Sequence, residues 1–145
     1  IGVFTTESQR RFTKWKGSFH MAHWTNSELD AMGDANLMVL DTAQPDGTPR
    51  KPVIVWAVRV GDEVFLRSVR GVDGSWYRAI QAQPAGRIQS GGIDRAVRFE
   101  PVAEAPAAAI DAAYRAKYGR GSSVDSITSP AAQATTVRLA PQSEA

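Results

Sequence analysis

Cysteine is absent from this chain of 145 residues. Disulfides, thiolate metal sites and cysteine nucleophiles are excluded with it. Histidine is scarce, present only as His20 and His23. Neither has an acid at a motif spacing, so a Ser-His-Asp arrangement is not expected. No cluster of His, Asp and Glu has metal-ligand spacing, and no metal is expected. No run of 18 apolar residues occurs, which predicts no membrane-spanning helix. No charged start followed by an apolar core marks a secretion signal. These absences together fit a cytoplasmic protein. No Gly-Lys-Ser/Thr stretch is present, and Gly71 and Gly74 stand too close together for a dinucleotide or P-loop fingerprint.

Strong net charge is also missing once the chain is divided. The whole carries +2, but Arg10, Arg11, Lys14 and Lys16 against Glu7 give residues 1–20 a balance of +3. The remainder has 13 basic and 14 acidic residues, hence −1. A general nucleic-acid role loses its electrostatic basis in that remainder. His20-Met21 resembles a cloning junction before a start codon. The expected organisation is an appended leader or natural basic arm over 1–20, one domain over 21–141 and a tail over 142–145. With 43% hydrophobic residues, a chain of this length can bury one core.

The pattern that remains is a succession of short strands and helices. Thr25-Asn26-Ser27-Glu28 has the form of a capping box at the start of a helix with Leu29 and Met32 on its apolar face. Asn36–Thr42 reads as a first strand, and Pro45-Asp46-Gly47 as a turn. Lys51–Val60 reads as a second strand, apolar on both faces at Val53–Trp56 and therefore central. Gly61-Asp62 joins it as a tight hairpin to Glu63–Ser68. A helix follows over Trp76–Gln83, then strands over Gly86–Ser90 and Asp94–Val102 around Gly91-Gly92. Pro106–Tyr118 is a helix stopped by Gly119. Residues 120–133 read as a loop, and Thr135–Leu139 as a last strand. Six strands with three helices give an α+β reading, and a small antiparallel sheet of this size is expected to close into a barrel.

The stretch Glu63–Pro84 stands out. Arg67, Arg70 and Arg78 gather at one strand–turn–helix corner. Planar guanidiniums suit phosphate oxygens. The helix opening after Ser75 aims free N–H groups at the same place. Ser75 is expected to cap that helix. The corner therefore reads as an anion cradle. Against this, Arg67 and Arg70 could be solvated charges paired with Glu63 or Asp73, and Arg78 a surface residue. Trp76 and Ile80, four apart, are expected to face the core.

The run Arg67-Ser68-Val69-Arg70-Gly71, then Ser75-Trp76-Tyr77-Arg78 and Gln83-Pro84, resembles the split-barrel flavin-binding superfamily. That group includes pyridoxamine phosphate oxidase-like proteins and deazaflavin-dependent nitroreductases. Ala113–Gly119 and Thr136–Leu139 extend the resemblance, which runs over about Trp24 to Pro141 and is nearest to an uncharacterised bacterial family. It implies a six-stranded antiparallel split β-barrel with peripheral helices, often a homodimer. It implies FMN or the 8-hydroxy-5-deazaflavin coenzyme, with Lys51, Pro52 and Val53 flanking the ring. Arg67, Ser68, Arg70, Ser75, Trp76 and Arg78 would flank the ribityl and phosphate. Arginines stand here where the deazaflavin reductases place small residues and a lysine, which leaves the choice of cofactor open. The expected function is hydride or electron transfer to a small organic acceptor. The alternative is a non-catalytic module binding flavin, haem or another anionic ligand, or serving dimerisation. Tyr77 and Tyr118 are the candidate proton donors. The chain offers no other group for hard chemistry, which suits a cofactor-borne reaction.

Overall fold

The structure is a computed structural model that describes residues 23–102 and 105–142. The expected leader over 1–20 lies outside the described residues. Helix α1, Asn26–Asp34, begins with the expected capping box. Thr25 Oγ1 accepts from the Glu28 N–H at 3.1 Å, and the Glu28 carboxylate accepts from the Thr25 N–H at 2.9 Å. Two orphan donors of the first turn are thereby satisfied.

Among the described residues, seven strands form one antiparallel sheet. They are β1 (Met38–Asp41), β2 (Val53–Val55), β3 (Ala57–Val60), β4 (Glu63–Leu66), β5 (Ala85–Ser90), β6 (Ile93–Pro101) and β7 (Val137–Pro141). The spatial order is β2-β1-β5-β6-β7-β4-β3. The expected single strand over Lys51–Val60 is therefore two. Its first half pairs with β1 and its second with β4, and the run breaks at Trp56. It is not central but supplies both ends of the sheet. One residue joins those ends, so the sheet wraps into a nearly closed barrel that parts where the run changes neighbours.

Two turns follow from glycine. Gly91 and Gly92 adopt φ of 58° and 85° between paired Ser90 and Ile93, as a two-residue hairpin of this hand requires. Gly61, at φ 62°, does the same between β3 and β4.

Alternation along the strands divides the apolar residues into two clusters. Met38, Leu40, Leu66, Ile88, Val97 and Phe99 share the larger one with Leu29 and Met32 of α1. Trp76 and Ile80 of α2, Ser75–Ala82, join it as their spacing requires. Val58 and Phe65, opposed across β3 and β4, belong to a second cluster with Ile110, Tyr114 and Ile127. That cluster seats α3, Ala107–Tyr118, against the sheet.

The segment read as a loop over 120–133 holds two short helices, α4 (Ser122–Ile127) and α5 (Pro130–Gln133). One serine and the proline are start signals here. Ser129 caps α5 and Pro130 takes the first turn, where a missing N–H is harmless. Val124 and Ile127, three apart, are buried. Ser75 is not the cap of α2. A single 3-10 turn, Gly71–Asp73, precedes the helix, Gly74 is its N-cap residue, and Ser75 is the first helical residue.

Candidate functional site

The strand break at Trp56 removes the ladder partners that a continuous strand would give its carbonyls. Three side chains of α3, at helical spacing, take their place. Tyr114 Oη donates to the Trp56 carbonyl at 2.8 Å. Lys117 Nζ donates to the Ala57 carbonyl at 2.7 Å and to the Met32 carbonyl at 3.2 Å. Tyr118 Oη donates to the Ala57 carbonyl at 3.4 Å. The Tyr118 ring lies parallel to the Trp56 indole, with centroids 4.0 Å apart and planes 4° apart. Burial pushes the Tyr114 phenol well above its ordinary range and pushes Tyr118 up to about 12. Burial lowers Lys117, with Asp34 acting in the opposite direction.

The second half of the site is the corner between β4 and α2. The chain leaves β4 through Arg67 and Ser68 and turns at Gly71, whose φ of 65° favours glycine. The first turn of α2 has no side-chain cap and no acidic residue. The first N–H groups of a helix have no intrahelical acceptor, and its N-terminus carries partial positive charge. Ser68 is 1% exposed, and its hydroxyl has no hydrogen-bond partner among the described residues. A Cβ added at Gly74 would stand 2.2 Å from Ser68 Oγ. The absence of a side chain at Gly74 thus leaves room for that hydroxyl beneath the helix start.

Two clefts flank this first turn. One, of about 380 Å3, lies between the β1–β2 connection and α2, with Arg50, Ser75, Arg78 and Ala79 in its walls. Arg50 Nη1 donates to the Ser75 carbonyl at 3.2 Å. Gln83 Nε2 holds the opposite bank by donating to the Gln44 and Pro45 carbonyls. The other cleft, of about 220 Å3, lies where the barrel parts. Ile54, Trp56, Arg67, Val69, Trp76 and Ile127 line it. Ser75 belongs to the cationic cleft and Trp76 to the aromatic one, so adjacent residues of α2 line the two.

The expected site residues divide between these surroundings. Arg78 lines the cationic cleft, whereas Arg70 is exposed beside the corner. Arg67 is 1% exposed. Its Nη1 donates to Asp111 and to the Ile127 carbonyl, and its Nε donates to Thr136 Oγ1. Most of the guanidinium's donors are therefore engaged from within the chain, and its ionic partner is Asp111 instead of Glu63 or Asp73. Lys51 and Pro52 are exposed, and Val53 packs on the larger core cluster. The cleft takes the next residues, Ile54, Val55 and Trp56. Tyr77 is half-buried, with its ring edge-on to Trp76 at 6.2 Å. Tyr118 stands behind Trp56 with its phenol on the backbone. Arg50 was not legible in advance. It stands beside Lys51 in a connection with no helix or strand signal, and it reaches the site through a contact 25 residues away.

Residues 28–139 match the model of a family described as an uncharacterised protein conserved in bacteria, DUF2255. No curated protein matches the chain in sequence. Among solved structures, HutZ, the haem storage protein of Vibrio cholerae, aligns with a TM-score of 0.52 at 11% identity, over 80% of this chain and 87% of that one. An F420-H2-dependent reductase, FDR-A, aligns at 0.51 and 18% identity, over 72% and 93%. The conserved hypothetical protein Rv2991 of Mycobacterium tuberculosis aligns at 0.51 and 18%, over 86% and 84%. At these identities the likeness concerns the fold alone, which is a split β-barrel.

Proposed function

Because this chain belongs to the bacterial family DUF2255 and folds as a split barrel, we propose that it binds FMN or the 8-hydroxy-5-deazaflavin coenzyme and acts as an oxidoreductase on a small organic acceptor. The observation that carries this reading is the pairing of the two clefts at one helix start. A cationic cleft beside an aromatic one fits a ligand with an anionic tail and a flat ring. Arg50 and Arg78 would hold the phosphate oxygens by charge-assisted hydrogen bonds, with Arg70 near by. The uncapped start of α2 and the buried Ser68 hydroxyl would supply neutral donors. Ser75 sits at the junction. Trp56, Trp76 and Ile54 would bound the ring, with Lys51, Pro52 and Val53 leading into that wall. Arg67 would line the aromatic cleft, held in place by Asp111. When bound, the cofactor supplies the hydride or electrons. The chain's own groups fix the tail, orient the ring and exclude water. Tyr77 is the remaining candidate for a proton near the acceptor, since the Tyr118 phenol is engaged by Ala57. Exposed Ile54, Val69 and Val72 beside the aromatic cleft suit a homodimer that covers it.

Titration of FMN and of the deazaflavin coenzyme tests the reading. Arg50→Ala and Arg78→Ala should each weaken the better ligand about tenfold, the effect of one lost charge-assisted hydrogen bond. Failure of the wild-type protein to bind either cofactor would overturn it. A second reading is a carrier that holds the cofactor without turnover. It is favoured by the lining of the two clefts, where arginine is the only ionisable residue type among the described residues. Tight binding without oxidation of NAD(P)H or reduced deazaflavin in the presence of an acceptor would select it.

A further inference from the structure

We infer that Tyr118 is a positioning residue that presets the Trp56 indole as a stacking wall, and thereby restricts the aromatic cleft to flat fused-ring ligands. The inference rests on the proposed cofactor site and goes beyond it in assigning the ring's selectivity to a side chain outside the cleft. Trp56 occupies the one residue between β2 and β3, where neither strand's ladder fixes its backbone. An indole at such a joint would have several rotamers open to it. Two contacts remove that freedom. Tyr114 holds the Trp56 carbonyl, and the Tyr118 ring covers one indole face at 4.0 Å. Trp56 lines the cleft and Tyr118 does not, so Tyr118 backs the indole from the side away from the ligand.

Tyr118 is itself anchored. Its phenol donates to Ala57, the residue after Trp56, and its ring lies under the Lys117 ammonium at 5.2 Å. The protein's own groups therefore hold the platform in place. Ordering a side chain in advance lowers the entropy lost on binding. Ring stacking then adds to the burial of apolar area. The cleft's volume of about 220 Å3 is smaller than the pockets that enclose whole drug-sized ligands. It suits the ring portion of a ligand whose tail lies in the neighbouring cationic cleft.

The test uses riboflavin, which has the ring without phosphate, and ribose 5-phosphate, which has a tail without the ring. Both are titrated calorimetrically, beside FMN, into wild-type protein, Tyr118→Leu and Tyr118→Phe. Tyr118→Leu should weaken riboflavin and FMN about five- to tenfold and leave ribose 5-phosphate unchanged. Tyr118→Phe keeps the stacked ring and should restore wild-type riboflavin affinity. The near-ultraviolet dichroism of the stacked pair should vanish in Tyr118→Leu and persist in Tyr118→Phe. Unchanged riboflavin affinity in Tyr118→Leu, or an equal loss for both probes, overturns the inference while the cofactor reading stands. Absence of FMN and riboflavin binding to wild-type protein removes both. If Tyr118→Leu does not fold, Trp56→Phe decides in its place. It shortens the wall and should weaken riboflavin while sparing ribose 5-phosphate, and equal affinity to wild type overturns the inference.

Discussion

The Tyr114 phenol and the Trp56 carbonyl meet at 2.8 Å across 58 positions of sequence. The barrel parts at Trp56, and the helix that packs over the split supplies the hydrogen bond that a neighbouring strand would have made. The same helix face, through Lys117 and Tyr118, serves the carbonyl of Ala57. The opening that makes a cleft in the barrel is thus stabilised from outside it.

Removing that donor leaves a carbonyl without its partner at the split. Tyr114→Phe, which preserves the ring in the second core cluster, should destabilise the protein by about 1–3 kcal/mol. Chemical denaturation measures this directly. A loss below the error of the extrapolation would show that water replaces the phenol.

The Arg67–Asp111 pair joins the end of β4 to α3, with the guanidinium side chain fully buried and the carboxylate side chain 15% exposed. Asp111→Asn leaves that charge without its counterion. The expected loss is about 3–5 kcal/mol. Arg67→Met/Asp111→Leu, which removes both charges, should recover much of it. A double variant no more stable than Asp111→Asn would refute this account of the pair.

Gly74 lies where a Cβ would meet Ser68 Oγ at 2.2 Å. Its φ of −61° suits any residue, so the obstacle is space and not backbone strain. Gly74→Ala should cost about 1–3 kcal/mol through overpacking and should weaken FMN binding at the displaced helix start. Ser68→Gly in the same chain should return the stability but not the affinity. Thermal unfolding and titration separate the two effects.

Burial works against the charge of Glu28, but the Thr25 N–H and the Arg95 guanidinium outweigh it and hold its carboxyl below the usual range. A depressed carboxyl pKa means that the unfolded chain binds the proton more readily. Its stabilisation is therefore fully present above the unfolded value of about 4.5 and disappears as pH falls through the folded value. Glu28→Gln should be less stable than wild type by about 1 kcal/mol at pH 7. The gap should close on acidification below pH 4, as followed by denaturant midpoints at several pH values.

The sequence contained the local structure of this protein in readable form. The Thr25–Glu28 box, the Gly61-Asp62 and Gly91-Gly92 hairpins and the Trp76–Ile80 pair depend on residues a few positions apart. Backbone sterics and short hydrogen bonds settle such features wherever they occur. The motifs around Arg67–Arg78 also sufficed for the fold class. The break at Trp56 could not be read because a continuous apolar run is compatible with one strand or with two that have different neighbours. Only closure of the sheet decides which carbonyls lose their partners. Charge partners were undecided for the same reason. Arg67 had acids close in sequence, yet folding brought it to Asp111 and brought Arg50 to the start of α2. Long side chains reach whatever the tertiary structure places beside them, and that placement divided the arginines between the core and the candidate site.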